Sequence, residues 1–62
     1  MSNAAELSSL ATALDELNRR VTAIADGYTA QRRDDLAGDL YAVERQLTNA
    51  VRRLGKVIDS GA

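Results

Sequence analysis

A heptad repeat in the first half of this chain constrains its fold more than any other feature. Its apolar residues are spaced alternately three and four positions apart, which places them along one side of an α-helix. They occupy alternating a and d heptad positions: Leu7, Leu10, Leu14, Leu17, Val21, Ile24 and Tyr28. We predict a helix over about 4–26, with Asn3 as its N-cap and Gly27 at its end.

A second heptad repeat follows and predicts a second helix over about 34–58. Its apolar residues are spaced four and three positions apart and occupy alternating d and a positions: Leu36, Leu40, Val43, Leu47, Ala50, Leu54 and Val57. Val51 and Ile58 occupy e positions and widen the apolar face near the C-terminal end. Residues 59–62 are expected to fray.

The two repeats are out of phase, which favours two helices over one continuous rod. The twelve residues from Ile24 to Leu36 rotate the apolar stripe by about 120°, because each residue advances an α-helix by about 100°. A connection over 27–33 absorbs this rotation. We therefore predict an all-α fold, an antiparallel two-helix hairpin forming one domain over residues 1–62.

Charge patterning agrees with antiparallel pairing. A turn near residue 30 would place Glu6 opposite Arg53 and Asp15 opposite Arg45. Each exposed pair contributes only about 0.2–1 kcal/mol, so these charges orient the helices more than they stabilise them. Within the first helix, we expect ion pairs four residues apart from Asp15 to Arg19 and from Glu16 to Arg20.

A single hairpin hides only part of this apolar surface. A rod-shaped chain of 62 residues also buries less surface than a compact domain of equal length. We expect two hairpins to form a homodimeric four-helix bundle, with a trimer of hairpins or a hetero-complex as alternatives. The predicted oligomer interface comprises Leu7, Leu10, Leu14, Leu17, Val21, Ile24, Leu36, Leu40, Val43, Leu47, Val51, Leu54, Val57 and Ile58.

The composition argues against catalysis. The chain has no Cys and no His, so it offers neither a thiolate nucleophile nor an imidazole base or ligand. Asp34, Asp35 and Asp39 come close to metal-ligand spacing, but helix capping and solubility explain them better, because bundle metal sites usually include His. We expect no enzyme activity, no catalytic residue, no cofactor, no metal and no small-molecule substrate.

Several exposed residues are candidate partner contacts. Arg45, Arg52, Arg53 and Lys56 occupy outer heptad positions of the second helix and could bind phosphate or an acidic partner, or simply form a solvated face. The remaining candidates are Arg32 and Arg33 in the connection and Tyr41 beside the apolar seam.

These features favour a non-catalytic interaction protein, a scaffold or adaptor that self-associates and binds a protein partner. The alternative is a nucleic-acid-associated regulator that uses the basic face of the second helix. The sequence shows neither a membrane-spanning segment nor a signal peptide, so we expect a cytoplasmic protein. Seven Arg against one Lys, with 11 Ala, suggest a bacterial genome rich in G and C.

Overall fold

The computed structural model describes residues 3–61, which form two helices joined by a short connection. The first helix, α1, runs over Ala4–Ala30, and the second, α2, runs over Asp34–Asp59. The two helices pack against each other, and the described residues contain no strand. Asn18 of α1 contacts Glu44 and Thr48 of α2, whereas Asp26, further along α1, contacts Tyr41, which lies earlier in α2. The helices therefore run antiparallel. The predicted all-α hairpin is confirmed.

The predicted end of the first helix at Gly27 is wrong, because α1 continues to Ala30. The carbonyl of Gly27 accepts a helical hydrogen bond from the N–H of Gln31 at 3.1 Å. A glycine inside a helix costs only about 1 kcal/mol. The heptad repeat runs on to Tyr28, which is half-buried against the second helix. Packing of this last apolar position therefore outweighs the low helix propensity of Gly27.

The chain leaves α1 through a left-handed residue at Arg32. Its φ is 61°, a conformation that usually requires glycine. The N–H of Arg33 donates to the carbonyl of Tyr28 at 2.8 Å, and the N–H of Arg32 donates to the carbonyl of Thr29 at 3.1 Å. These two bonds form a Schellman motif, the C-terminal cap in which the left-handed residue is most often glycine. The connection therefore shrinks from the predicted 27–33 to residues 31–33.

The N-termini of both helices lack side-chain caps. Asn3 occupies the N-cap position of α1 as predicted, yet only its carbonyl is used, accepting the N–H of Leu7 at 2.9 Å. Arg33 is the N-cap residue of α2, and Asp34 and Asp35 occupy its first turn. Their negative charge lies near the positive end of the α2 dipole, as predicted.

The interior between the helices is built from the a and e heptad positions, with Leu7 and Leu40 taken as a. At about 100° per residue, e lies on one side of a and d on the other. The half-buried or buried residues at a are Leu7, Leu14, Val21, Tyr28, Leu40, Leu47 and Leu54. Those at e are Ala4, Ala11, Asn18, Ala25, Ala37, Glu44, Val51 and Ile58. The two helices therefore pack through a and e, and the d positions lie beside this interior.

Small side chains at the e positions explain why these positions, and not the d positions, face the other helix. Ala25 is completely buried and Ala37 is 3% exposed. Because each side chain is a single methyl group, the helix backbones can approach closely at this end of the hairpin. The d positions carry larger side chains in α1, and turning them inward would hold the helices apart.

The register also differs from the predicted one. Asn18 would lie opposite Ala42 if the chain turned at residue 30, but it contacts Glu44 and Thr48.

The ion pairs within residues 3–61 are Asp15 with Arg19, at 3.3 Å, and Arg33 with Asp35, at 3.4 Å. The first was expected. The pairs expected between the helices and the pair from Glu16 to Arg20 do not form within this range.

The hairpin is elongated and has a thin interior. Its extents are 49 × 14 × 10 Å, and its radius of gyration is 14.4 Å against about 10.6 Å for a compact domain of this length. Its accessible surface is 4749 Å², whereas a compact monomer of 6.7 kDa exposes about 3,900 Å². Within residues 3–61 no large side chain is fully buried.

Candidate functional site

Among the described residues, five large apolar side chains lie exposed on the surface of the hairpin. Three are at the d positions of α1, where Leu10 is 51%, Leu17 is 49% and Ile24 is 56% exposed. Two are at the d positions of α2, where Val43 is 39% and Val57 is 47% exposed. We call these five residues the apolar stripe. Single exposed apolar residues are common, whereas a regular series of them along a helix marks a surface that binds something.

The five residues share one side of the hairpin. Both helices turn the same heptad positions, a and e, towards each other, and they run antiparallel. A two-fold axis perpendicular to the plane of the two helices relates such a pair, so the d positions of both lie on one side of that plane and the b positions on the other. The stripe is therefore continuous across both helices.

Hydrogen bonds on the opposite side confirm this geometry. The hydroxyl of Tyr41, at a b position of α2, donates to Oδ1 of Asp26 in α1 at 2.5 Å. It also lies 3.4 Å from the hydroxyl of Thr29, at a b position of α1. The b side of the hairpin is thus polar and internally bonded. The hydroxyl of Tyr41, a candidate partner contact, is therefore hydrogen-bonded within the hairpin.

The residues predicted for the oligomer interface divide into two groups. One group is half-buried between the helices and holds the hairpin itself together: Leu7, Leu14, Val21, Leu40, Leu47, Val51, Leu54 and Ile58. The other group comprises the apolar stripe and Leu36, which is half-buried at a d position. Ala50, at the d position between Val43 and Val57, is also half-buried. The d side of the hairpin is therefore apolar along much of its length.

Asn18 is a structural residue that the apolar pattern does not reveal. It is 8% exposed, and its Nδ2 donates to the carbonyl of Glu44 at 3.3 Å and to Oγ1 of Thr48 at 3.2 Å. Its Oδ1 is buried without a hydrogen-bond partner. The signal was present in the sequence, because Asn18 stands in a column of alanines at e positions of α1: Ala4, Ala11 and Ala25.

The predicted basic residues of α2 lie on its outer surface. Arg45, Arg52, Arg53 and Lys56 are exposed at c, f and g positions, which point away from α1. A shallow depression on this surface is lined by Asn49, Arg52, Arg53 and Lys56. Arg45 lies outside this depression, about 10 Å along the helix from Arg52. We call these four cations the outer basic face.

The two arginines of the connection lie at the other end of the molecule, about 35 Å from Lys56 along the helix. The side chain of Arg33 donates to the carboxylate of Asp35 through Nε and Nη2, both at 3.4 Å. This guanidinium, followed by the backbone N–H of Leu36, lowers the pKa of Asp35 below its ordinary value of 3.8. The side chain of Arg33 thus lies beside the first turn of α2, while the side chain of Arg32 is exposed.

Within residues 3–61, no group of three or more acidic residues is arranged so that it could hold a metal ion. Neither helix has a window long and apolar enough to cross a membrane within that same range. Comparisons of the chain with protein-family models, with curated proteins and with solved structures find no match.

Proposed function

We propose that this protein is a non-catalytic scaffold or adaptor whose apolar stripe is covered by a second copy of the chain. The observation that carries this proposal is the exposure of Leu10, Leu17, Ile24, Val43 and Val57 on one side of a hairpin whose described part, residues 3–61, has no fully buried large side chain. Each of these residues would gain about 1–2 kcal/mol of hydrophobic free energy on losing its remaining contact with water.

The area of this surface suits a homodimer. A face of 49 by 14 Å has a flat area of about 690 Å², to which the relief of the side chains adds. A standard protein interface takes about 800 Å² from each partner. Two hairpins meeting through this face form the four-helix bundle expected from the sequence, in which the stripe becomes the centre of the core.

A second copy also fits the symmetry of the stripe. The stripe includes residues from both helices, and a two-fold axis through its centre brings the same residues of two chains together. Ala50 lies between Val43 and Val57 and leaves room for a side chain from the other copy. The polar b side and the connection then remain available for a protein partner, and Arg32 and Tyr41 are the candidate contacts there.

Sedimentation equilibrium of matched variants tests the self-association. We expect the wild-type chain to sediment with twice its mass of 6.7 kDa. Leu17→Glu places a charge in the stripe and should give a chain of single mass. Ser9→Glu makes the same change of charge at an exposed outer position of α1 and should leave the dimer intact.

Folding and association can be coupled in so small a protein, so thermal unfolding provides a second readout. The Tm of a dimer rises with protein concentration, because association stabilises the folded chain. A folded wild-type chain of single mass, with a Tm independent of concentration up to about 100 µM, would contradict the proposal. A mass three times that of the chain would replace the dimer by the trimer of hairpins.

A further inference from the structure

The C-terminal half of α2 separates its charges from those of the rest of the chain. Residues 45–58 contain three Arg and one Lys and no acidic residue, although the whole chain carries a net charge of −1. All four cations belong to the outer basic face. Such separation concentrates positive potential on one surface of a molecule that is nearly neutral overall.

The outer basic face is free of ion pairs within residues 3–61. The ion pairs in that range use Arg19 and Arg33. The c, f and g positions of α2 point away from α1, so the carboxylates of α1, such as Asp15 and Glu16, lie across the hairpin from them. The expectation that the acids of the first helix neutralise these cations is therefore not met.

The chemistry of this face is that of a phosphate-binding surface. Between Arg45 and Lys56 its other outward side chains are Gln46 and Asn49, whose amides also donate hydrogen bonds. No apolar or aromatic side chain interrupts it. Protein partners usually require apolar or aromatic anchors at the centre of an interface, whereas a phosphate backbone needs only donors and positive charge.

We propose that the outer basic face binds the phosphate backbone of double-helical nucleic acid without sequence preference. The four cations are spread over about 16 Å of helix, and successive phosphates on one strand of a duplex are about 3.4 Å apart along its axis. Several phosphates therefore lie within reach of the four side chains. Single strands are bound mainly by stacking on aromatic rings, and this face has none.

This inference stands apart from self-association. The outer basic face lies on the opposite side of α2 from α1, and the apolar stripe lies on the d side, so one hairpin can use both surfaces. A second copy adds a second basic face and strengthens binding by linking two contacts. Loss of the dimer would weaken binding without abolishing it.

Fluorescence anisotropy of a labelled duplex of about 20 base pairs tests the inference. The wild-type chain should bind at about 20 mM salt and release the duplex as salt rises, with a log–log slope no steeper than about −3.6 per hairpin. Arg52→Gln combined with Arg53→Gln should weaken binding at low salt by about 10-fold or more and reduce the slope by about 1.8.

The matched control is Arg19→Gln combined with Arg20→Gln, which removes the same charge from the outer side of α1. Its duplex affinity should stay within about 2-fold of the wild-type value. Circular dichroism establishes that both double variants remain helical. Equal losses in the two double variants, or no binding at low salt, would overturn the inference.

Two competitors separate the ligand classes. A single-stranded oligonucleotide of equal charge should compete less well than the unlabelled duplex, and so should polyglutamate. A polyglutamate that displaces the duplex at equal charge concentration would reassign the face to acidic polypeptides and overturn the proposal. Tighter binding of the single strand would overturn its assignment to duplexes.

Discussion

The Nδ2 group of Asn18 in α1 donates a hydrogen bond to the Oγ1 of Thr48 in α2 across 3.2 Å. The hydroxyl of Thr48 is also a helical donor, bonding to the carbonyl of Glu44 at 3.0 Å. This contact is a polar link at the centre of a largely apolar interior. Sliding one helix by a turn would separate the Asn18 amide from the hydroxyl of Thr48, so the link helps to set the register.

Replacing Asn18 with leucine should raise the free energy of unfolding by about 1–2 kcal/mol, because the buried Oδ1 has no partner and its desolvation is uncompensated. Thr48 keeps its bond to Glu44 in this variant. Urea unfolding measures the change. The matched control is Asn49→Leu at an exposed position, where the effect should stay within about 0.5 kcal/mol. A loss of stability in Asn18→Leu would show that the hydrogen bonds outweigh the buried oxygen.

Arg32→Gly should stabilise the hairpin by about 0.5–1 kcal/mol. Arg32 has a φ of 61°, and a side chain in the left-handed region costs about 1–2 kcal/mol, part of which the greater freedom of glycine in the unfolded chain offsets. Thermal unfolding at fixed protein concentration reports the gain. Gln31→Gly is the control, because the φ of Gln31 is −86° and glycine brings no relief there. Equal shifts of Tm in both variants would contradict the account of this turn.

Leu47→Ala should lower the free energy of unfolding by about 2–5 kcal/mol, because Leu47 is half-buried at an a position between the helices. Chemical denaturation followed by circular dichroism gives this value. Gln46→Ala changes the neighbouring exposed position and should alter stability by less than about 0.5 kcal/mol. An unchanged unfolding curve for Leu47→Ala would mean that the a positions do not form the interior.

The pKa of Asp35 should rise in Arg33→Gln, because the Arg33 guanidinium is the first cause of its lowering. Since the folded pKa lies below the ordinary value of 3.8, the carboxylate stabilises the fold above that pH. This contribution is lost as the pH falls through the folded pKa. Carbon-detected NMR titration of the Asp35 carboxyl in both proteins measures the shift. Identical titration curves would remove Arg33 as its cause.

Much of the fold follows from the sequence. Heptad spacing predicts both helices, and the phase change between Ile24 and Leu36 predicts the reversal between them. These features depend on apolar periodicity, which is a property of each helix alone. The start of α2 at Asp34 also agrees with the prediction.

The remaining features depend on packing between the helices. The e and d positions on either side of the a positions both contain residues suited to an interior. Periodicity therefore does not decide which of the two faces the other helix. The small side chains of Ala25 and Ala37 decide it by allowing close approach. Arg32 is an unusual residue for a left-handed cap, and residue preferences alone favour Gly27 as the end of α1. The structure consequently divides the predicted interface into an interior and an exposed stripe.

Isotope-filtered NMR on an equal mixture of ¹³C-labelled and unlabelled chains tests the central claim, that a second copy covers the apolar stripe. We expect intermolecular nuclear Overhauser effects from the methyl groups of Leu10, Leu17 and Ile24 to apolar protons of the other chain. Far weaker effects are expected from Ala23, which is exposed on the outer side of α1. A spectrum in which Leu10, Leu17 and Ile24 show no intermolecular effects would rule out a second copy on the apolar stripe.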